Sequence, residues 1–182
     1  IKPASYDEVY NPYEDRQDFF SDLRMRQAFA YCTDRDKIIK DVLFSQSQIP
    51  PSYLPTTHPL AVEGLPVIAY DAVKGSQLLD EVGWKDLDND AATPRVARGV
   101  DQVFNDTILS VTFSLTDTTQ HREIADIVVK SMQQCGIEVV PQFMQVSDLL
   151  AGGPDGVLFG RKFDLAEDRK STRLNSSHIT IS

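Results

Sequence analysis

Between residues 109 and 144 the chain passes from a two-residue hydrophobic period to a 3.6-residue one and back, and that switch limits the folds open to it. Leu109, Val111, Phe113 and Leu115 alternate with Ser110, Thr112 and Ser114, the pattern of a half-buried strand. From about Gln120 to Cys135, Ile124, Ile127, Val128, Met132 and Cys135 share one face of a long helix, which Gly136 ends. Ile137 to Met144 reads as a second strand, interrupted by Pro141 and so confined to an edge or a bulge. Strand, long helix, glycine and strand make a βαβ unit, with parallel strands and a right-handed crossover. The predicted class is α/β.

Upstream, Ile1 to Phe20 reads as loop. Ser21 is placed as an N-cap with Asp22 in the first turn, and Met25, Ala28, Phe29 and Cys32 give a helix over Asp22 to Cys32. Thr33 or Asp34 can cap a second helix, whose buried stripe is Ile38, Ile39, Val42 and Leu43. Pro50, Pro51, Pro55, Pro59 and Pro66 then make a stiff, extended connection. Its Tyr53, Leu54, Thr56 and Thr57 either line a cleft or drape over the surface. Asp71 caps a third helix with Leu78, Leu79 and Val82 turned inward, Gly83 at its C′ position and Trp84 packing back on it. Lys85 to about Asp106 reads as a polar, acidic insert. Ser147 to Ala151 is a short helix, residues 152–156 a turn cluster, and Val157 to Leu165 the start of another element.

The length of 182 residues suits one domain or a large part of one. A net charge of -9 argues against nucleic acid, which calls for a basic face, and disfavours an anionic membrane surface. No apolar run approaches the roughly 20 residues that span a bilayer. The first residue is Ile1, so the true N-terminus and any signal peptide are expected to lie upstream. Residues 168–182 change character abruptly and resemble, residue for residue, the translation of a common sequencing adapter. They are expected to be a non-native, disordered tail, which leaves His58 and His121 as the histidines to consider.

Few residues carry chemistry. Cys32 and Cys135 lie in no C-x-x-C pattern; the alternatives are two buried thiols or one disulfide. Asp86, Asp88 and Asp90 open like a calcium loop, but Ala91 replaces its glycine and Ala97 its bidentate glutamate, so a solvated acidic turn is expected. Neither His58 nor His121 has a second histidine or a cysteine at zinc-ligand spacing. No nucleophile elbow, Walker A or dinucleotide fingerprint occurs. No catalytic residue, metal site or cofactor is expected.

Three stretches carry a resemblance. Asp22-Leu-Arg24-Met-Arg26-Gln-Ala28-Phe-Ala-Tyr-Cys32-Thr-Asp34-Arg35 is similar to a D-x-R-V-R-Q-A-x-x-x-A-x-D-R helix. Tyr70-Asp71 through Leu78-Leu79 to Gly83-Trp84 is similar to Y-D-P-x-K-A-x-x-L-L-x-E-A-G-W. Gly136-Ile137-Glu138-Val139 and Phe163-Asp164 are similar to G-I-x-V and a late F-D. Together they resemble the family 5 extracellular solute-binding proteins, the peptide- and nickel-type receptors of ABC importers. Met25, Cys32, Ala72, Gly75 and Val82 depart from the pattern at positions that read as structural.

The resemblance implies part of one lobe of a two-lobed periplasmic-binding-protein-like (type II) receptor, with a mixed sheet and flanking helices, over residues 1–167. It implies capture of a peptide or similar small solute in the periplasm or outside the cell, delivery to ABC permease subunits, no enzymatic activity and a monomer, and it is compatible with a lipoprotein anchor. The alternative is a solute-sensing domain of the same fold in a signalling receptor; a hydrolase would need a triad beyond this segment. The family's later ligand-facing tryptophan and acidic positions would follow Asp164. Within the chain, Tyr53 and Thr56 are the candidates for ligand contact.

Overall fold

A computed structural model of the chain describes residues 19–49, 51–52, 58–62, 64–153, 156–169 and 177–181. Helix α1 is Leu23–Cys32, and its N-cap is Asp22, whose Oδ1 accepts from the Arg24 amide at 2.8 Å. The helix thus starts one residue later than the Ser21 cap predicts, because a carboxylate accepts more strongly than a hydroxyl at the positive end of a helix. Met25, Ala28, Phe29 and Cys32 are its buried face, as their spacing requires. Asp34 caps the next helix, α2 (Arg35–Lys37), which widens into one π turn over Ile38–Val42 with Ile38 and Val42 buried.

Helix α3 is Ala72–Val82. Asp71 Oδ1 accepts from the Lys74 amide at 2.9 Å, and Gly83 ends the helix with φ of +116°. Only Leu79 of its three predicted core leucines and valines is fully buried; Leu78 and Val82 pack half-buried against the core. Trp84 is completely buried and meets Phe19 edge-on, ring centres 5.2 Å apart.

The predicted βαβ unit is present. Strand β3 (Ser110–Thr116) runs parallel to β4 (Glu138–Met144), and helix α4 (Thr119–Gln133) crosses between them. Thr118 caps α4 through its Oγ1, and Gly136 follows with φ of +71°. The sheet order is β4-β3-β5-β6, where β5 is Leu165–Arg169, parallel to β3, and β6 is Ser177–Ile181, antiparallel to β5. The sheet is therefore mixed. Pro141 sits on the edge strand β4. The Glu138 amide donates inward to Leu109, so alternate residues 139, 141 and 143 turn their backbone groups outward, and the missing proline donor falls on the free side. A short helix, α5 (Val146–Leu149), follows β4.

Two sequence expectations change. Residues 177–181, placed in a disordered tail, are a strand here: Ile179, Thr180 and Ile181 are β-branched, and β5 offers them an edge to pair with. The stretch from Lys85 to Asp106, read as a polar, acidic insert, also adds to the core. It carries the two-stranded antiparallel ribbon β1 (Trp84–Lys85) and β2 (Val96–Ala97), and it buries Arg95, Ala97, Val100 and Val103. Arg95 Nε donates to the Cys135 carbonyl at 2.7 Å, and one of its terminal nitrogens reaches both the Asp80 carboxylate at 2.8 Å and the Trp84 carbonyl at 3.0 Å. Gly136 also makes room for the arginine stem, since a Cβ there would lie 2.9 Å from Arg95 Cγ.

Cys32, the last residue of α1, and Cys135, just past α4, are joined in a disulfide with Cα atoms 6.2 Å apart. Around it, Met25, Phe29, Leu79, Trp84, Leu109, Phe113, Ile124 and Met132 belong to one continuous core.

Candidate functional site

In open α/β sheets, ligands meet the crevice outside the carboxyl ends of the strands. Here β3 and β5 lie side by side and parallel, so their carboxyl ends share one point on that edge of the sheet. Two ionisable side chains, one from each flank of this point, meet there. His121 stands in the first turn of α4 and Glu167 on β5. His121 Nε2 lies 3.7 Å from Glu167 Oε1, with the histidine side chain 13% exposed and the glutamate 2%.

The ring is fixed from its other side. His121 Nδ1 lies 3.1 Å from the Thr116 carbonyl oxygen and 2.5 Å from Thr116 Oγ1. The Nδ1 edge is thereby held against Thr116, and the ring turns Nε2 toward Glu167. Thr116 ends β3 and Thr118 caps α4, so strand end, cap and helix start place the histidine together.

The rim is built from the next residues. Arg122 donates to Asp117 at 2.8 Å from Nε and stacks over the Phe143 ring at 4.4 Å, while the Asp117 amide donates to the Met144 carbonyl at 2.9 Å. The loop after β3 is thereby tied to the end of β4. On the other side, Asp164 Oδ2 accepts from both the amide and the hydroxyl of Thr112, at 2.8 and 2.7 Å, which locks the entry of β5 onto β3 and sets the height of Glu167. The aspartate of the late F-D pair thus acts as a brace within the sheet.

Tyr53 and Thr56, the residues singled out from sequence, lie outside the described residues. His58 is exposed, and its Nδ1 accepts from the Leu60 amide at 3.1 Å. Asp86, Asp88 and Asp90 direct carboxylate oxygens at amides of their own loop, at 2.8 to 3.3 Å. No group of three His, Cys, Asp or Glu side chains among the described residues is placed to share a metal ion. A depression of about 260 Å³ between Pro94, Val129, Gln133 and Val139 lies at the opposite, amino end of β4. His121 was weighed in the sequence only as a metal ligand and Glu167 not at all. Their pairing depends on β5 lying beside β3, a contact no local pattern encodes. The one available signal was a histidine in the first helical turn after a core strand.

The model of the bacterial extracellular solute-binding proteins, family 5 Middle, matches residues 3–176. The chain belongs to this family. Among curated members, the oligopeptide-binding protein AppA of Bacillus subtilis is 29% identical over 146 residues, covering 78% of this chain and 25% of AppA. A putative ABC transporter peptide-binding protein of Brucella ovis is 32% identical over 84 residues, 46% of this chain and 16% of that protein. The chain therefore spans about a quarter or less of the family 5 relatives it matches.

Solved family-like structures agree with the fold. AppA in complex with a nonapeptide superimposes with a TM-score of 0.58 at 27% identity, over 72% of this chain and 25% of AppA. NikA from Brucella suis in complex with Fe(III)-EDTA gives 0.65 at 22% identity, over 87% and 27%. MelB of Agrobacterium fabrum, in complex with stachyose, gives 0.67 at 21% identity, over 83% and 22%. As a family 5 chain with this mixed sheet, it is part of one lobe of a two-lobed binding protein.

Proposed function

We propose that the protein to which this chain belongs is the solute-capturing component of an ABC importer, that it works outside the cytoplasmic membrane as a monomer and hands its solute to permease subunits, and that the solute is a peptide. Membership of the solute-binding family supports capture. The peptide class is supported by the relatives of higher identity, which are described as oligopeptide- or peptide-binding. A binding role without catalysis is supported by membership of the solute-binding family.

The observation that carries the reading is the His121–Glu167 pair at the carboxyl ends of β3 and β5. A lobe that closes on a solute presents this end of its sheet to the cleft, and an ionisable pair held against Thr116 suits a charged or strongly polar group of a peptide. Tyr53 and Thr56 remain proposed contacts from the proline-rich connection. The ligand-bearing half of the cleft is shared with the rest of the protein, so affinity belongs to the whole receptor.

The test is calorimetric titration of the full-length receptor with a defined set of peptides, an oligosaccharide and a nickel–histidine chelate. Saturable binding of peptide alone is expected. His121→Ala and Glu167→Gln are expected to weaken it by roughly tenfold or more, the scale of one lost charge-assisted hydrogen bond. Binding of saccharide or chelate in place of peptide overturns the peptide class. Unchanged affinity in both variants removes this end of the sheet from the site.

A further inference from the structure

Gly75 lies in the interior of α3, at a position whose backbone places no demand for glycine. Glycine inside a helix is destabilising relative to alanine, so its presence needs another cause. The cause is space. A Cβ at residue 75 would come inside the 3.0 Å that real Cβ atoms do not cross from Cys32 Sγ. It would also lie 3.2 Å from Cys135 Sγ and 3.2 Å from the Ala28 carbonyl oxygen. Helix α3 thus lies directly on the disulfide, and Gly75 is the point of contact. The start of α3 is fastened to the end of α1 beside it: the Asp71 amide donates to the Tyr31 carbonyl at 2.9 Å, and the Lys74 ammonium sits 4.4 Å from the centre of the Tyr31 ring. Both half-cystines are buried, at 0% and 1% exposure.

We infer that α3 is a lid over the Cys32–Cys135 bond, closed through Gly75, so that the bond forms before α3 docks and is out of reach of thiols once it has. Forming the bond removes two protons and two electrons from the two thiols. An exchanging disulfide takes up the electrons through a mixed-disulfide intermediate and leaves as two thiols. Every such step requires the incoming sulfur to touch Cys32 or Cys135 Sγ, and the approach from the α3 side is filled by the helix backbone at Gly75. Redox state and docking of α3 are therefore linked: a reduced chain that has already closed its lid is cut off from oxidant, and an oxidised chain is cut off from reductant.

The experiment is native-state reduction of the oxidised 182-residue chain by dithiothreitol, followed by alkylation and mass spectrometry, with and without urea. The bond is expected to survive in native buffer and to be reduced once urea opens the chain. Gly75→Ala, which forces the lid off the sulfurs, is expected to speed native-state reduction by roughly ten- to a hundredfold, the scale of an overpacked core. Rapid reduction of the unaltered chain in native buffer overturns the inference, as does an unchanged rate in Gly75→Ala. Should Gly75→Ala fail to fold, its effect is read in the Cys32→Ala, Cys135→Ala chain, which lacks the sulfurs. Equal stability of that chain with and without Gly75→Ala places the clash at the sulfurs, and a loss of stability caused there by Gly75→Ala places it elsewhere and overturns the proposal.

Discussion

Arg95 donates from Nε to the carbonyl oxygen of Cys135 at 2.7 Å, joining residues forty apart in sequence at the very point where α4 ends. Because a second donor of the same guanidinium reaches the Trp84 carbonyl, one side chain satisfies the ends of two separate elements. Its other partner, Asp80, is about half exposed, so removing the arginine strands two carbonyls rather than a buried charge. Arg95→Met is expected to lower unfolding free energy by about 2–4 kcal/mol, and Asp80→Asn by less than about 1 kcal/mol. Urea unfolding followed by circular dichroism measures both.

The disulfide closes a loop with a sequence separation of 103 residues. On loop-closure grounds a bond of that span restricts the unfolded chain by about 4–5 kcal/mol. Cys32→Ala together with Cys135→Ala is expected to cost about 2–5 kcal/mol in unfolding free energy, less any relief from the space left beneath Gly75. Thermal unfolding of the double variant checks it.

Trp84 is the largest completely buried side chain and contacts Phe19 edge-on. Trp84→Ala is expected to cost about 3–5 kcal/mol, and Trp84→Phe appreciably less because most of the ring volume is kept. Tryptophan fluorescence is lost with the only tryptophan, so circular dichroism is the readout.

The Asp22 carboxyl is held below the usual carboxylate range, first by the hydrogen bond from the Arg24 side chain and then by the Arg24 amide it caps. A carboxyl depressed on folding contributes stability above its unfolded pKa and loses it as pH falls through the folded value. The stability difference between wild type and Asp22→Asn is therefore expected to be full at neutral pH, to begin to fall near about pH 4 and to be lost as pH drops through the lower, folded value. Since the pair is largely exposed, the difference stays within about 1 kcal/mol and shrinks with added salt. A difference that grows on acidification contradicts this.

Residues 168–182 are proposed to be foreign to the natural chain. Leu165 and Ala166 are held by β3 independently of β6. Removing residues 170–182 is therefore expected to shift the unfolding midpoint far less than Trp84→Ala does. A comparable loss would show that β6 belongs to the fold. Sequencing the source gene past codon 167 gives the direct answer.

Local chemistry carried much of the fold into the sequence. Asp71 with Gly83, Asp34, and the alternation of Val111, Phe113 and Leu115 announced their elements because caps and periods act within a few residues. Pro141 announced an edge because a proline lacks a donor. What stayed hidden depends on distant partners. Arg95 drew no notice within the polar, acidic stretch, because its three acceptors lie on other segments. Cys32 and Gly75 looked like two unrelated departures from the family pattern, yet the fold presses them together. His121 and Glu167 likewise acquire meaning only when β5 docks on β3.

The outward face of β4 has a last consequence. A sheet recruits stray polypeptide by offering a row of matched donors and acceptors, and Pro141 leaves a gap in that row at the middle of the strand. A second chain aligning along this margin during folding loses its register halfway. The same proline that costs the native ladder nothing leaves any strand laid along this margin one hydrogen bond short at its centre.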